Sequence, residues 1–217
     1  LGHTTTYSYD NANHLLSVNE PLSRSTSYSY DLVGNRLSAT NPMGGLTNFG
    51  YDAKDRLETV TDPLGHTTTY GYDAVNNKIS ITDALGHVTT FSYDALNRNA
   101  FLSDPMGHTT SFQYDPDDNR TLLTDANGNS THYVFDALNR LTSVTDAANG
   151  TVTYTYDLVG NRLSMTDANN HTTIYTYDAV NRLATETDPL SFGTSFSYDP
   201  AGNRITWNKP DNSIVNY

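Results

Sequence analysis

A fixed beat constrains this sequence more than any other feature. An aromatic-x-aromatic-Asp unit recurs with its aspartate at Asp10, Asp31, Asp52, Asp73, Asp94, Asp115, Asp136, Asp157, Asp178 and Asp199, always 21 residues apart with no insertion. Counting that Asp as position 0, position −1 holds Tyr9, Tyr30, Tyr51, Tyr72, Tyr93, Tyr114, Phe135, Tyr156, Tyr177 and Tyr198. Position −3 holds Tyr7, Tyr28, Phe49, Tyr70, Phe91, Phe112, Tyr133, Tyr154, Tyr175 and Phe196, and Tyr217 opens an eleventh unit. All 16 tyrosines lie in these two columns. A repeat this strict points to one supersecondary unit copied along the chain.

The other columns define that unit. Proline occurs only at +11 (Pro21, Pro42, Pro63, Pro105, Pro189, Pro210) and +1 (Pro116, Pro200). Position +13 is Gly in Gly2, Gly44, Gly65, Gly86, Gly107 and Gly128, and Asn in Asn149, Asn170 and Asn212. Gly and Asn tolerate positive φ, so this column marks a turn. In "HTTTYGYD" (66–73), Thr and aromatics favour a strand, and Tyr70 and Tyr72, two apart, share a face. "AVNN" (74–77) reads as a turn, "KISITD" (78–83) as the return strand and "ALG" (84–86) as the next turn. No stretch has a helical apolar period. The expected fold is therefore all-β, ten consecutive antiparallel hairpins in a single array over residues 1–217.

A longer period is nested in the first. Units at Asp10, Asp52, Asp94, Asp136 and Asp178 read as short turns, as in "DAKDRL" (52–57). Units at Asp31, Asp73, Asp115, Asp157 and Asp199 read one residue longer, as in "DLVGNRL" (31–37). Position +8 is apolar throughout (Val18, Ala39, Val60, Ile81, Leu102, Leu123, Val144, Met165, Trp207) except at Glu186. This predicts a β-bulge in the short-turn units only, and a 42-residue pair of hairpins as the true repeat.

Together the YxYD, Asn-Arg-Leu and Asp-Pro-x-Gly elements resemble the YD, or Rhs, repeat family of bacterial Rhs and wall-associated proteins, toxin-complex C components and teneurins. The resemblance implies a sheet of hairpins spiralling around a hollow interior, a shell that encloses a toxic polypeptide or serves as an extracellular scaffold. Strand spacing leads to a similar expectation. About 20 strands at ~4.8 Å give a sheet on the order of 95 Å wide, which must coil or close. Positions −3, −1 and +8 supply its apolar face. Tyrosine dominates that face, which suggests partial wetting, because a buried phenol needs a partner.

The recurrent polar residues read as structural. Equivalent aspartates lie ~10 Å apart, two strands on, too far to share a cation, so each is expected to cap its own turn. The histidine column (His3, His66, His87, His108, His171) fails as a zinc site for the same reason, and His14 and His132 add no constellation. Arg36, Arg56, Arg98, Arg120, Arg140, Arg162, Arg182 and Arg204 are expected to bridge neighbouring hairpins, with a grip on an anionic cargo as the alternative. "DPLG" (62–65) and "DPMG" (104–107) sit mid-array and read as ordinary turns, not as the family's self-cleavage element. Asn129, Asn149 and Asn170 head Asn-x-Thr triplets, common in so Asn- and Thr-rich a chain. No catalytic residue, metal site or cofactor is expected, and no enzymatic activity.

A net charge of −12 argues against nucleic-acid partners and anionic lipid. The chain lacks cysteine, so it has no disulfide framework. No apolar run approaches a membrane span. The first residue falls at +12 of a unit and the last at −3, so the chain reads as a fragment of a longer repeat protein. Further repeats are expected at both sheet edges, with an enclosed cargo as a possible partner. The expected function is a non-catalytic segment of a secreted or cell-surface shell. The alternatives are a self-assembling filament or adhesin wall and, ranked lower, a carbohydrate-binding tyrosine ladder.

Overall fold

In a computed structural model, which describes residues 4–211 and 213–217, the chain forms two compact units, Leu1–Thr109 and Thr110–Tyr217. Gly2, His3 and Asn212, singled out above, lie outside the described residues. Each unit is an open run of antiparallel strands in which consecutive strands pair. The first unit runs from Thr6–Tyr9 to Asn99–Ser103 and the second from Thr109–Tyr114 to Ile214–Asn216. Among the described residues the only helical segment is the short 3-10 turn Pro21–Ser23. The all-β expectation is met; neither unit closes into a barrel.

One hairpin shows how the sequence produces the rest. The strand Thr67–Tyr72 pairs with Lys78–Thr82, placing Tyr70 opposite Ile81, Gly71 opposite Ser80 and Tyr72 opposite Lys78. Between them lies a five-residue connection from Asp73 to Asn77. Asp73 N donates to Asn77 O (3.0 Å), Asn76 N to Asp73 O (3.4 Å), and Asn76 takes a φ of 77°. This is a tight turn followed by a left-handed residue, a common hairpin connection. The connection to the next hairpin has the same design. Asp62 N donates to His66 O (2.9 Å), Gly65 N to Asp62 O (3.0 Å), and Gly65 has a φ of 87°. Most connections at both ends of the strands are built on this plan, an Asp followed three residues later by a left-handed Gly or Asn, with Asp at Asp55 and Asp118, Ser at Ser191 and an opening Asn at Asn41 as variants.

The bulge expectation needs correction. All ten hairpins shift register one residue before the aspartate, between −2 and −1, in both classes of unit. Position −1 faces +5, −2 faces +7 and −3 faces +8, so +6 is the extra residue everywhere. The loop is five residues long in every unit, and the left-handed residue sits at +3 throughout, at Asn13, Gly34, Asp55, Asn76, Asn97, Asp118, Asn139, Gly160, Asn181 and Gly202. The 42-residue alternation is real, but it lies in the side chains at +4 and +5 and not in turn length.

This register sorts the side chains onto two faces. One carries −5, −3, −1, +5 and +8, with each −3 aromatic directly opposite +8, as in Phe49 and Val60 or Tyr154 and Met165. The other is a field of hydroxyls. Ser29 meets Ser38 at 2.5 Å, Thr155 meets Ser164 at 2.6 Å, and Thr61 meets Thr67 across to the next hairpin at 2.8 Å. Such cross-strand pairs contribute about 0.2–1 kcal/mol each. Among the described residues only Tyr175, 8 % exposed, is buried. A compact monomer of this size exposes about 9,900 Å², whereas this chain exposes 14,082 Å². Stability must therefore come from ladder bonds and contacts between neighbouring strands, as in other one-dimensional arrays.

The turn geometry makes a direct prediction. A Cβ added at Gly65 meets nothing within 4 Å, so φ alone opposes substitution. Gly65→Asn, matching Asn149 and Asn170 (φ 65° at both), is expected to stay within a few tenths of a kcal/mol of the parent. Gly65→Val should lose about 1–2 kcal/mol in chemical denaturation.

Candidate interaction face and its clamps

The repeating aspartate is a joint inside its own loop. Asp73 Oδ1 accepts from the amides of Val75 (3.0 Å) and Asn77 (2.8 Å), and Oδ2 accepts from Asn77 Nδ2 (2.9 Å). Asp10, Asp31, Asp52, Asp94, Asp136, Asp157 and Asp178 accept at Oδ1 from the amides at +2 and +4 in the same way; Asp115 makes both amide bonds too. At Asp199 the +4 amide of Asn203 donates. These bonds favour the carboxylate and hold Asp10, Asp31, Asp52, Asp73, Asp94, Asp136, Asp157, Asp178 and Asp199 below their ordinary range. At Asp52 the Arg56 side-chain hydrogen bond leads, and its pKa falls to about 2.

The histidines do the same work at the opposite turns. His66, His87, His108 and His171 place Nδ1 at 2.9, 2.9, 2.8 and 3.1 Å from Oδ2 of Asp62, Asp83, Asp104 and Asp167, the aspartates that open those loops. Among the described residues no group of three or more His, Cys, Asp or Glu is placed to hold a metal ion. His14 belongs to the loop-clamp column, which the sequence reading missed. It sits at +4, bonds Asp10 at 2.9 Å and stacks 4.9 Å from the ring of Tyr30.

The arginines fall into two classes, and Arg56, Arg140 and Arg182 tie neighbouring hairpins without the expected ion pair. At +4, Arg56, Arg98, Arg140 and Arg182 pair with the aspartate of their own hairpin at 2.6–2.8 Å. Arg56, Arg140 and Arg182 then reach the next hairpin by other means. Their Nη1 donates to the backbone oxygens of Asp73 (2.8 Å), Asp157 (2.6 Å) and Asp199 (2.9 Å). Their guanidinium groups lie 4.6, 4.9 and 4.7 Å from the ring centres of Tyr72, Tyr156 and Tyr198.

In alternate hairpins +4 is Asn and the cation moves to +5. Asn35, Asn77, Asn119 and Asn161 hold their own aspartate and donate onward to Asp55, Asn97, Asn139 and Asn181, the left-handed residues of the next loop. The +5 cations lie over −3 aromatics of their own and the following hairpin. Arg36 lies over Tyr28 and Phe49, Lys78 over Tyr70 and Phe91, Arg120 over Phe112 and Tyr133, and Arg162 over Tyr154 and Tyr175.

The two aromatic columns also differ in role. The −1 phenol donates to the backbone oxygen at +5 of the preceding hairpin, fifteen residues back. Tyr30, Tyr51, Tyr72, Tyr93, Tyr156, Tyr177 and Tyr198 bond Leu15, Arg36, Leu57, Lys78, Leu141, Arg162 and Leu183 at 2.7–3.1 Å. Position −3 has no such acceptor and alternates freely between Tyr and Phe.

Comparison with known proteins fits this architecture. A family profile described as the RHS repeat matches residues 9–46, 51–87, 76–98, 102–130, 135–172, 158–192 and 177–211. The chain belongs to the RHS repeat family. Comparison with curated proteins returns no match. Among solved structures, the Photorhabdus luminescens Tc holotoxin pore aligns over 98 % of this chain and 16 % of its own, at 15 % identity and TM-score 0.58. The TcdB2–TccC3 complex with Cdc42 aligns over the same shares, also at 15 % identity, with TM-score 0.56. TcdB2–TccC3 without its hypervariable C-terminal region covers 99 % of this RHS-repeat chain and 18 % of its own, at 14 % identity and TM-score 0.57. At these identities the likeness is one of fold, and the chain spans less than a fifth of each.

Two predictions follow from the joints. Tyr72→Phe removes the bond to Leu57 O and should lower stability by about 1 kcal/mol, whereas Tyr70→Phe should be nearly neutral in the same urea titration. The second concerns acid. Asp10, Asp31, Asp52, Asp73, Asp94, Asp136, Asp157, Asp178 and Asp199 have folded pKa values below the unfolded ~3.9, so their stabilisation is complete above that value and is lost as pH falls toward the folded values, about 2 at Asp52. Circular dichroism should show cooperative loss of strand signal between about pH 4 and 2, and Arg56→Gln should raise its midpoint.

Proposed function

We propose that this RHS-repeat chain is a non-catalytic wall segment of a large secreted or cell-surface shell that encloses or displays another polypeptide. The observation that carries this reading is an aromatic face with no second layer over it. Strand after strand presents −3, −1 and +8 side chains that remain partly exposed, and such a surface calls for a partner. The structural neighbours are toxin complexes, which supports a wall, although this chain corresponds to under a fifth of them. We read residues 1–217 as one continuous array, continued by further repeats at its sheet edges. No helix among the described residues is long and apolar enough to cross a membrane.

The tyrosine and aspartate columns act in this reading as structural joints and not as chemical sites. A sugar-binding ladder is disfavoured because cations already lie over many of the rings. The test is to express the segment together with its neighbouring coding sequence. Negative-stain micrographs should show hollow particles, and a downstream polypeptide should resist added protease until the shell is opened. Periodic fibres, or a downstream polypeptide that is cleaved at once, would overturn the shell in favour of a filament.

A further inference from the structure

We propose that the aromatic face recognises an extended, mostly apolar polypeptide bearing sparse carboxylates, held by the +5 cations. This rests on reading the sheet as a wall that faces another polypeptide, and it names the chemistry of that partner.

The argument starts from what each cation has left to give. The +4 arginines spend their charge on their own loop aspartates, and their side chains are only 20–30 % exposed. The +5 cations Arg36, Lys78, Arg120, Arg162 and Arg204 have no carboxylate partner among the described residues. Arg204 donates to the Tyr217 hydroxyl at 2.7 Å, and the other four have no side-chain hydrogen bond within the described protein. Arg36, Arg120 and Arg204 are exposed, Lys78 and Arg162 half-buried. A guanidinium carries five N–H donors, so the unused donors far outnumber the used ones.

The surroundings sharpen the preference. In the columns that form this face the only acidic side chain is Glu186. The clamped aspartates sit in the turns at both ends of the strands, so each unit presents a cationic aromatic floor between acidic rims. A dense polyanion such as nucleic acid, with a charge every ~1.7 Å, would meet those rims. Cations already lie over many of the rings on which its bases would stack. The cations recur every fourth strand, ~19 Å apart within a unit. Between them, at +5, lie Leu57, Leu141 and Leu183, and at +8 mostly aliphatic side chains. An extended chain rising ~3.3 Å per residue matches that spacing with one carboxylate about every six residues and apolar side chains between. Charge on the floor selects the acidic residues, and the aliphatic intervals take the rest.

The test uses two labelled 25-residue peptides of Leu, Ser and Gly, one with Glu at every sixth position and the other with Gln there. Fluorescence anisotropy against the whole chain should give at least tenfold tighter binding of the Glu peptide, weakening as salt rises from 50 to 300 mM. That preference should vanish in the variant carrying Arg36→Gln, Lys78→Gln, Arg120→Gln and Arg162→Gln. Equal binding of the two peptides would overturn the proposal and leave the wall reading standing, and so would a preference retained in the variant. Displacement of the Glu peptide by polygalacturonate at a lower carboxylate concentration would overturn it in favour of an acidic glycan. The peptide pair decides the matter on the unaltered chain even if the fourfold variant does not fold.

Discussion

One carboxylate oxygen bonded to two backbone amides sets the geometry of most loops, with the amide oxygen of Asn41 standing in for it in one. Because Asp Oδ1 takes the amides at +2 and +4, the connection is held at five residues, with its left-handed position at +3. A side-chain acceptor two residues upstream of its donor is the ordinary Asx turn; here it is applied at both ends of the strands. Constant loop length keeps successive strands in phase, and phase is what turns a sequence repeat into columns of side chains. The second oxygen, Oδ2, remains available for the residue at +4. Variety enters there without disturbing the frame, as Arg56, Asn77 and His14 show.

The alternation follows from how each +4 residue reaches forward. Asn ends close to its own loop, so it finds the side-chain oxygen of the next +3 residue, and that residue is Asp or Asn at Asp55, Asn97, Asn139 and Asn181. Arg is longer and reaches a backbone oxygen; Arg56 also bonds the Asn76 side chain at 3.0 Å, whereas Arg140 and Arg182 use no side chain at the next +3 position. Glycine stands there at Gly160 and Gly202. The 42-residue period is thus two solutions to one problem, tying each loop to the next. The Asn solution meets Asp or Asn 20 positions later, whereas the Arg solution meets Asn, Asp or Gly there.

Much of this was legible in the sequence because the frame is local. Turn residues, strand periodicity and the Asp clamp depend on neighbours within five positions, and the columns expose them directly. The bulge was misread for a physical reason. Asn-Arg-Leu recurs as a motif, and aligning on it makes alternate turns look one residue longer, yet the arginine occupies two different positions with two different roles. The +3 column was the better ruler, since Gly, Asn or Asp occupies it in all ten units. The spacing of three between +5 and +8 also marked the bulge, because residues on one face of an unbulged strand are an even number apart. The stacking of cations on rings from the following hairpin was not legible. It depends on register across strands, which only the fold supplies.

The tyrosine columns show how a repeat distributes its chemistry. Nine of ten residues at −1 are Tyr, and the hydroxyls of seven serve a backbone oxygen one hairpin back, while −3 accepts Phe freely because no such acceptor is there. The same accounting applies to the other recurring polar groups. Loop aspartates are bonded to amides, the +14 histidines to aspartates, and the +4 arginines to a carboxylate, with most also tied to a carbonyl and a ring. Groups bonded in this way have little capacity left for a substrate. The +5 cations differ, because stacking over rings leaves Arg36, Lys78, Arg120 and Arg162 without a carboxylate or side-chain hydrogen-bond partner among the described residues. A face that repeats such a group every second hairpin suits a long partner held weakly at many points, and multivalent contact of that kind makes a wall of identical joints selective.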